Sequence, residues 1–262
     1  MPTPRAAAAR TLRFRHEYRD NHPGRYSGKL HAAWIAGCST ALIGLCILQI
    51  VPGGWHWVMA PIAFVVANFG EWWLHKHTMH WRFEPLKTLW HRHTIEHHNF
   101  FTETHMAVDS TRDLRIVLLP PIAILGVALL HGLIGIALGA LLDAQAGWAW
   151  LLGGITHYLV YEMLHLASHL PNYRWFASLP ILSTVRRNHW IHHHQSLMPD
   201  YNLNLTVPLA DWALDTTDLQ RNFWGVLFNR YRMDCLKPEV QQRIPERSFG
   251  GDAPPTHTPH SG

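Results

Sequence analysis

The sequence predicts an all-α integral membrane protein, with four transmembrane helices in two hairpins and a histidine-rich cap on the cytosolic side. Three observations carry that expectation. The 262 residues are 48% apolar and only 15% charged, whereas soluble domains sit near a quarter charged. Four long apolar stretches divide the chain. Histidine occurs 22 times, well above ordinary usage, and concentrates between His75 and His194.

Residues 1–29 are polar and arginine-rich. Glu17 and Asp20 argue against a targeting peptide, so the segment reads as a cytosolic tail. The apolar stretches follow as Leu30–Val51, Trp55 to about Leu74, Ile116–Leu142 with Pro120–Pro121 near its start, and Trp148 to about Leu170. Each has about the 20 residues that an α-helix needs to cross roughly 30 Å of hydrocarbon, and none has Lys or Arg in its middle. The short connections PGGWH and DAQAG carry no Lys or Arg. All 22 basic residues lie in the N-terminal segment, between Lys76 and Arg115, or after Pro171. The positive-inside rule then puts both termini and the central loop in the cytoplasm. Residues 30–247 form the expected membrane domain and 248–262 a disordered tail. The net charge of +4 comes from no dense basic patch, so nucleic acid is not an expected partner. Three cysteines form neither a disulfide framework nor a CxxC zinc pattern.

The histidines fall into four clusters, each at the inner membrane boundary on this topology. They are HKHTMH (His75, His77, His80), HRHTIEHH (His91, His93, His97, His98), HYLVYEMLHLASH (His157, His165, His169) and NHWIHHH (His189, His192, His193, His194). An α-helix turns about 100° per residue. On that geometry His165 and His169 share a face with His157 deeper along it. His189, His192 and His193 share another, and His194 points elsewhere. His93 pairs with His97, and His91 with His98. His75 and His80 fall about 140° apart, so the helix end must unwind or the pair must flank a wide site. Neutral imidazole suits iron, zinc, copper and nickel. Metals on neutral ligands keep a high positive charge, so Glu71, Glu96, Asp109 and Glu162 are expected to orient ring N–H groups. His16, His22, His31, His56 and His131 read as packed or snorkelling side chains. Trp72, Trp73, Trp81, Trp90 and Trp190 read as interface anchors in preference to pocket walls.

At these clusters the chain resembles the fatty acid hydroxylase/sterol desaturase superfamily of integral-membrane di-metal oxidases. The likeness runs from about Trp72 to Thr216. LHKHTMH, HTIEHH, YEMLHLASH and NHWIHHH look like its four histidine boxes, and NLNLTVPLADWALDT looks like its Asn…Asp…Gly-Thr tail. LRIVLLPP resembles the Arg…Pro-Pro entry to the third span of fatty acid 2-hydroxylases. The resemblance implies a ligand set of His75, His80, His93, His97, His98, His165, His169, His189, His192 and His193, with no catalytic residue beyond these. His77, His91, His157, Glu71, Glu96, Glu162 and Asp211 are further ligands or supports for them. Three departures stand out. The second box is HxxxHH where fatty acid 2-hydroxylases have HxxHH, with Thr94 where their histidine would fall. His91 and His93 therefore compete for one role, and His93 is favoured because it shares a face with His97. Asp215 replaces the glycine of the tail. A cytochrome b5 domain, often fused in eukaryotic members, has no room here.

The resemblance implies O2-dependent hydroxylation of a lipid acyl chain at two iron ions, with zinc possible in the isolated protein. An unactivated C–H bond offers no acid–base handle, so one-electron chemistry is required. The substrate would enter from the bilayer. A separate reductase, ferredoxin or cytochrome b5-type donor would supply electrons. A desaturase, or a hydroxylase of a sterol or carotenoid, remains open on the same scaffold, as does a membrane hydrolase in which two zinc ions activate water. A metal transporter would need ionisable residues deep in its spans, whereas these histidines gather at one face.

Overall fold

The computed structural model describes residues 4–22, 24–171 and 173–244, and the expected tail 248–262 lies outside them. No β-strand forms among the described residues, which hold only two isolated bridges, Thr102 with His105 and Leu219 with Leu236. The chain divides into two compact units. One comprises residues 27–70 and 110–163, the other 1–26, 71–109 and 164–262.

The first unit is built on long apolar helices. α1 (Pro4–Asn21) precedes it in the chain. α2 (Gly28–Leu48) starts at Ser27, whose Oγ accepts the Leu30 N–H and satisfies one of the free donors of the first turn. α3 (Met59–Leu74) follows a 3₁₀ turn at Trp55–Val58. α4 (Ala123–Leu141) begins beyond Pro120–Pro121, and Ile116, expected in the same span, belongs to a separate turn at Leu114–Val117. Two consecutive prolines supply no N–H for a helix to run through. α5 (Ala144–His169) is the longest at 26 residues.

Gly28–Leu48, Trp55–Met79 and Ala123–Leu141 are long and apolar enough to cross a membrane. α5 reaches the length but not the apolarity, because Gln145, His157, Glu162, His165 and His169 interrupt it. The fourth expected span is therefore present as a helix, though not as a uniformly apolar one. Small residues let these helices approach closely, as interfaces within lipid require. A Cβ on Gly147 would lie 2.2 Å from the Gly135 carbonyl, and one on Gly153 would lie 2.1 Å from the Ala60 carbonyl. The two short turns are tied together by His56 Nε2 and Asp143 Oδ2 at 2.6 Å and by the Val51 N–H to Gln145 Oε1 at 2.7 Å. Leu48, Ile136 and Leu141 point outward, 83%, 71% and 79% exposed.

The second unit is the histidine-bearing one. Its N-terminal segment, expected as a tail, is the helix α1, and it is packed rather than loose. Arg15 is 2% exposed. Its Nη2 donates to the Ala107 carbonyl at 2.8 Å and stands 3.1 Å from Asp109, with the guanidinium 4.6 Å from the centre of the Phe100 ring. Asp109, expected to orient a histidine, is occupied by Arg15 and Arg19 instead. Tyr18 sets its edge on Phe100, and Thr11 Oγ1 lies 3.3 Å from Thr102 Oγ1. α6 (Pro180–His192), α7 (Leu209–Ala213) and α8 (Phe223–Leu227) follow. Trp190, Ile191, Leu197, Leu219, Val226 and Val240 belong to one buried apolar cluster of this unit. Trp190, expected as an interface anchor, is 3% exposed and donates its Nε1–H to the Glu103 carbonyl. Beneath α6 the Arg187 guanidinium and Asp218 carboxylate, both fully buried, meet at 2.6 Å. Asp218 also accepts from the Asn202 side-chain amide at 2.8 Å.

Candidate metal centre

α3 does not stop at Leu74. It continues as a π-helix over His75–Met79, where the His80 N–H reaches the His75 carbonyl five residues back. The wider π turn places residues i and i+5 on one face. His75 and His80, too far apart on an α-helix, therefore stack with ring centres 4.9 Å apart. The second box repeats the device. A π-helix spans His91–His97, and the His98 N–H bonds the His93 carbonyl. His93 and His98 now face together, their Nε2 atoms 3.0 Å apart. The expected pairing of His91 with His98 does not form, since His91 is exposed, whereas His93 still stacks on His97 with ring centres 5.3 Å apart.

The last two boxes are α-helical. His165 and His169 stand one turn apart on α5 with ring centres 5.1 Å apart. At the end of α6, His189 and His193 are likewise four residues apart, with Nε2 atoms at 3.0 Å. His192 stacks on His189 with ring centres 6.0 Å apart, as the helical wheel expects. It turns to His80, Nε2 to Nε2 at 3.1 Å.

The histidines sort into two buried groups. His75, His80, His93, His98 and His192 form one, and His97, His165, His169 and His189 the other; within each, the ligand-capable atoms lie within 4.8 Å of one another. His193 joins them, its Nε2 3.1 Å from that of His97 and its ring centre 4.3 Å from that of His98. The fold thus brings together all ten residues of the implied ligand set.

The other residues singled out in the sequence lie elsewhere. His77 is exposed beside Trp72 and Trp73. His91 is exposed and its Nδ1 pairs with Glu96 at 3.3 Å, whereas its competitor His93 is buried in the first histidine group. His157 packs edge-on to Phe64 in the first unit. Glu162, in that unit too, accepts the Leu119 N–H. Glu71 and Asp211 bond no histidine ring directly and instead hold the 203–206 loop beside the site. Glu71 accepts the Leu205 N–H and the Thr206 hydroxyl. Asp211 accepts the Leu203 and Asn204 N–H groups and the Thr216 hydroxyl. Together they pin the loop whose Leu203 carbonyl accepts from His75 Nδ1. Burial raises the Asp211 carboxyl to about 6, against the hydrogen bonds that favour its charged form.

Four of the ten rings are oriented by carbonyls, a feature that side-chain motifs do not display. His75 Nδ1 donates to Leu203 O, His169 to Met106 O, His192 to Tyr201 O and His193 to Phe101 O. A carbonyl can only accept, so each of these Nδ1 atoms carries the proton and each Nε2 of the neutral ring presents a lone pair. Those lone pairs converge on other Nε2 atoms, with His75 to His93 and His189 to His169 both at 2.8 Å. Adding protons would charge rings whose pKa values lie well below the ordinary 6.5. That depression holds for His80, His93, His98, His189, His192 and His193, through burial first and repulsion among the rings second. A cation at the centre of each group satisfies the lone pairs without that cost, so the donor set fits two metal ions.

Residues other than the histidines also hold the site together. Arg15 binds the Ala107 carbonyl beside Met106 and covers Phe100 and Phe101. Thr94 gives its hydroxyl to Met79 O at 2.6 Å, joining the two π segments. Asp215 adopts φ +56°, a left-handed conformation that glycine takes without strain. This is the position where the resembled tail motif has glycine. Lys237 holds the Asp215 carboxylate at 2.5 Å.

Comparison with known proteins adds one finding. The family model for fatty acid hydroxylase matches residues 60–216, a stretch that includes all ten clustered histidines. No match was found among curated proteins or among solved structures. With more than half of its length matched, the chain belongs to the fatty acid hydroxylase family.

Proposed function

We propose that this protein is a membrane-embedded, O2-dependent oxidase that hydroxylates a lipid acyl chain at a pair of iron ions. Family membership makes it a hydroxylase- or desaturase-type oxidoreductase with histidine clusters able to hold metal. The observation that carries the finer reading is the pair of all-imidazole groups, which supplies ligands for two ions. Imidazole alone does not select iron over zinc or copper. That choice rests on the family.

In this reading His75, His80, His93, His98 and His192 would hold one ion and His97, His165, His169 and His189 the other, with His193 adjoining both groups. Bound iron supplies the one-electron chemistry with dioxygen that an unactivated C–H bond demands. The protein's own part is orientation and exclusion of water. The carbonyls of Leu203, Met106, Tyr201 and Phe101 hold the Nδ1 protons and aim each Nε2 inward. The rings are buried. Hydroxylation inserts one oxygen atom into the C–H bond and reduces the other to water, so the reaction would take two electrons from the external donor and two protons from solvent.

The topology proposed for this chemistry adds α5 to the three apolar helices as a fourth span. Its polar half would be the inner end that joins the site. Both termini and the histidines would face the cytoplasm, following the placement of basic residues. The lipid would enter from the bilayer, and a separate reductase, ferredoxin or cytochrome b5-type protein would deliver electrons. Lipid mass spectrometry of cells with and without the protein tests the reading. A gain of one oxygen supports hydroxylation, a loss of two hydrogens identifies a desaturase, and product formed without oxygen by a zinc-only protein refutes an oxidase.

A further inference from the structure

We propose that Trp212, Leu214, Phe223, Trp224 and Phe228 form a lipid-contact face, seated in the headgroup region of the leaflet nearest the metal centre. α7 and α8 are short, and each buries one side. Ala210 and Asp211 of α7 are buried, as are Val226 and Leu227 of α8. The opposite sides are apolar as well. Trp224 is 65% exposed, and Trp212, Leu214 and Phe228 are exposed too. Their rings make one continuous surface, with centres 5.7 Å apart for Trp212 and Phe223, 5.2 Å for Phe223 and Trp224, and 6.2 Å for Trp224 and Phe228. A contiguous exposed aromatic patch of this kind marks an interaction surface.

Depth decides the occupant. Trp72 Nε1 donates to Thr216 Oγ1 at 2.8 Å, and Trp72 lies within the apolar helix Trp55–Met79. Seven residues separate Trp72 from Met79, about 10 Å along a helix axis. The Asp211–Thr216 turn therefore stands beside the inner part of a span, and Trp212 and Leu214 leave that turn. Indole rings favour this level of a membrane, with an apolar body toward the acyl chains and an N–H toward the headgroups. Exposed Arg230 follows Phe228 closely in the chain, the pattern of an interfacial segment that also attracts anionic lipid. The face also adjoins the metal centre. Asp211, next to Trp212, accepts the Leu203 N–H, and the Leu203 carbonyl accepts from His75. The inference rests on reading Trp55–Met79 as a span.

The test uses the full chain in nanodiscs of brominated phosphatidylcholine. Cys235 is replaced by Ser, and an environment-sensitive dye is attached to one new cysteine at a time. Label positions are Trp224→Cys, Phe228→Cys, Val65→Cys within the span, and Glu239→Cys on the exposed side of the Pro238–Arg243 turn. Unbrominated nanodiscs and the C235S parent set the background. The expected result is a loss of emission of roughly twofold or more at 224 and 228, approaching that at 65, with little at 239. Using two positions in the face keeps the test valid if one variant does not fold. Quenching at 65 without quenching at 224 or 228 overturns the lipid face while leaving the span intact, and would point to a protein partner. Absence of quenching at 65 overturns the span and the inference with it.

Discussion

His75 and His80 are five residues apart and His165 and His169 only four, yet each pair faces one way. The first pair sits on a π-helix and the second on an α-helix. The same contrast separates His93–His98 from His189–His193. Helix type, not side-chain choice, is what matches the spacing to the site. This accounts for the extra residue in the second box. Going from HxxHH to HxxxHH moves the outer pair from i,i+4 to i,i+5, and one π turn absorbs that shift. The two π segments are then locked to each other by the Thr94 hydroxyl on Met79 O.

The largest effect should come from the rings themselves. His192→Ala on the first group and His165→Ala on the second should each abolish product, measured by lipid mass spectrometry. If either variant kept substantial activity, its group would not be part of the centre.

Acidification comes next. Six of the rings are held neutral, with pKa values well below 6.5. A folded-state pKa below the unfolded one means that the unfolded chain binds more protons, so stability is full above about 6.5 and falls as pH drops below it. Each ring adds up to about 1.4 kcal/mol per pH unit in that window, and metal should leave over the same range. Thermal unfolding followed from pH 8 to pH 5 checks this. A melting temperature that is flat through that range would contradict buried neutral rings.

Arg15→Met tests support from α1. It removes the donor to the Ala107 carbonyl, next to Met106 in the chain, and the cover over the Phe101 ring, and should weaken metal retention at the His169 and His193 side about tenfold. Arg15→Lys should recover only part, since a lysine cannot cover the ring and bond the carbonyl with one planar group. Thr94→Val, which cuts one hydrogen bond between the π segments, should cost about 1 kcal/mol, with Thr94→Ser near wild type.

The smallest effects should be at His91 and His194. His91 is exposed and paired with Glu96, and His194 Nδ1 bonds the Ser196 hydroxyl away from both groups. Alanine at either should leave most activity. A loss at His194 as severe as at His192 would refute the division of the fourth box.

Much of the site was legible in the sequence because ligand clusters are local. The four boxes and the helical architecture follow from spacing and apolar length, and the set of ten histidines from the family resemblance. The division of His97 from His93 was not legible, because the two rings stack on one face and only their partners from other elements separate them into different groups. The misfit of His75 and His80 was the available signal for the π turns. The orienting groups were expected to be carboxylates and on four rings proved to be carbonyls, which every residue carries and no motif marks. Arg15 escaped for a different reason. Its partners lie about 90 residues away, and a polar arginine-rich stretch reads as a tail until that contact is seen.

The central claim is that two separate imidazole groups each hold an ion. Metal content per chain of the purified protein tests it most directly, measured on the wild type, His80→Ala and His165→Ala. The account predicts two ions in the wild type and one in each variant, since each loses a ligand from a different group. A wild type holding a single ion, or variants that both lose all metal together, would contradict it.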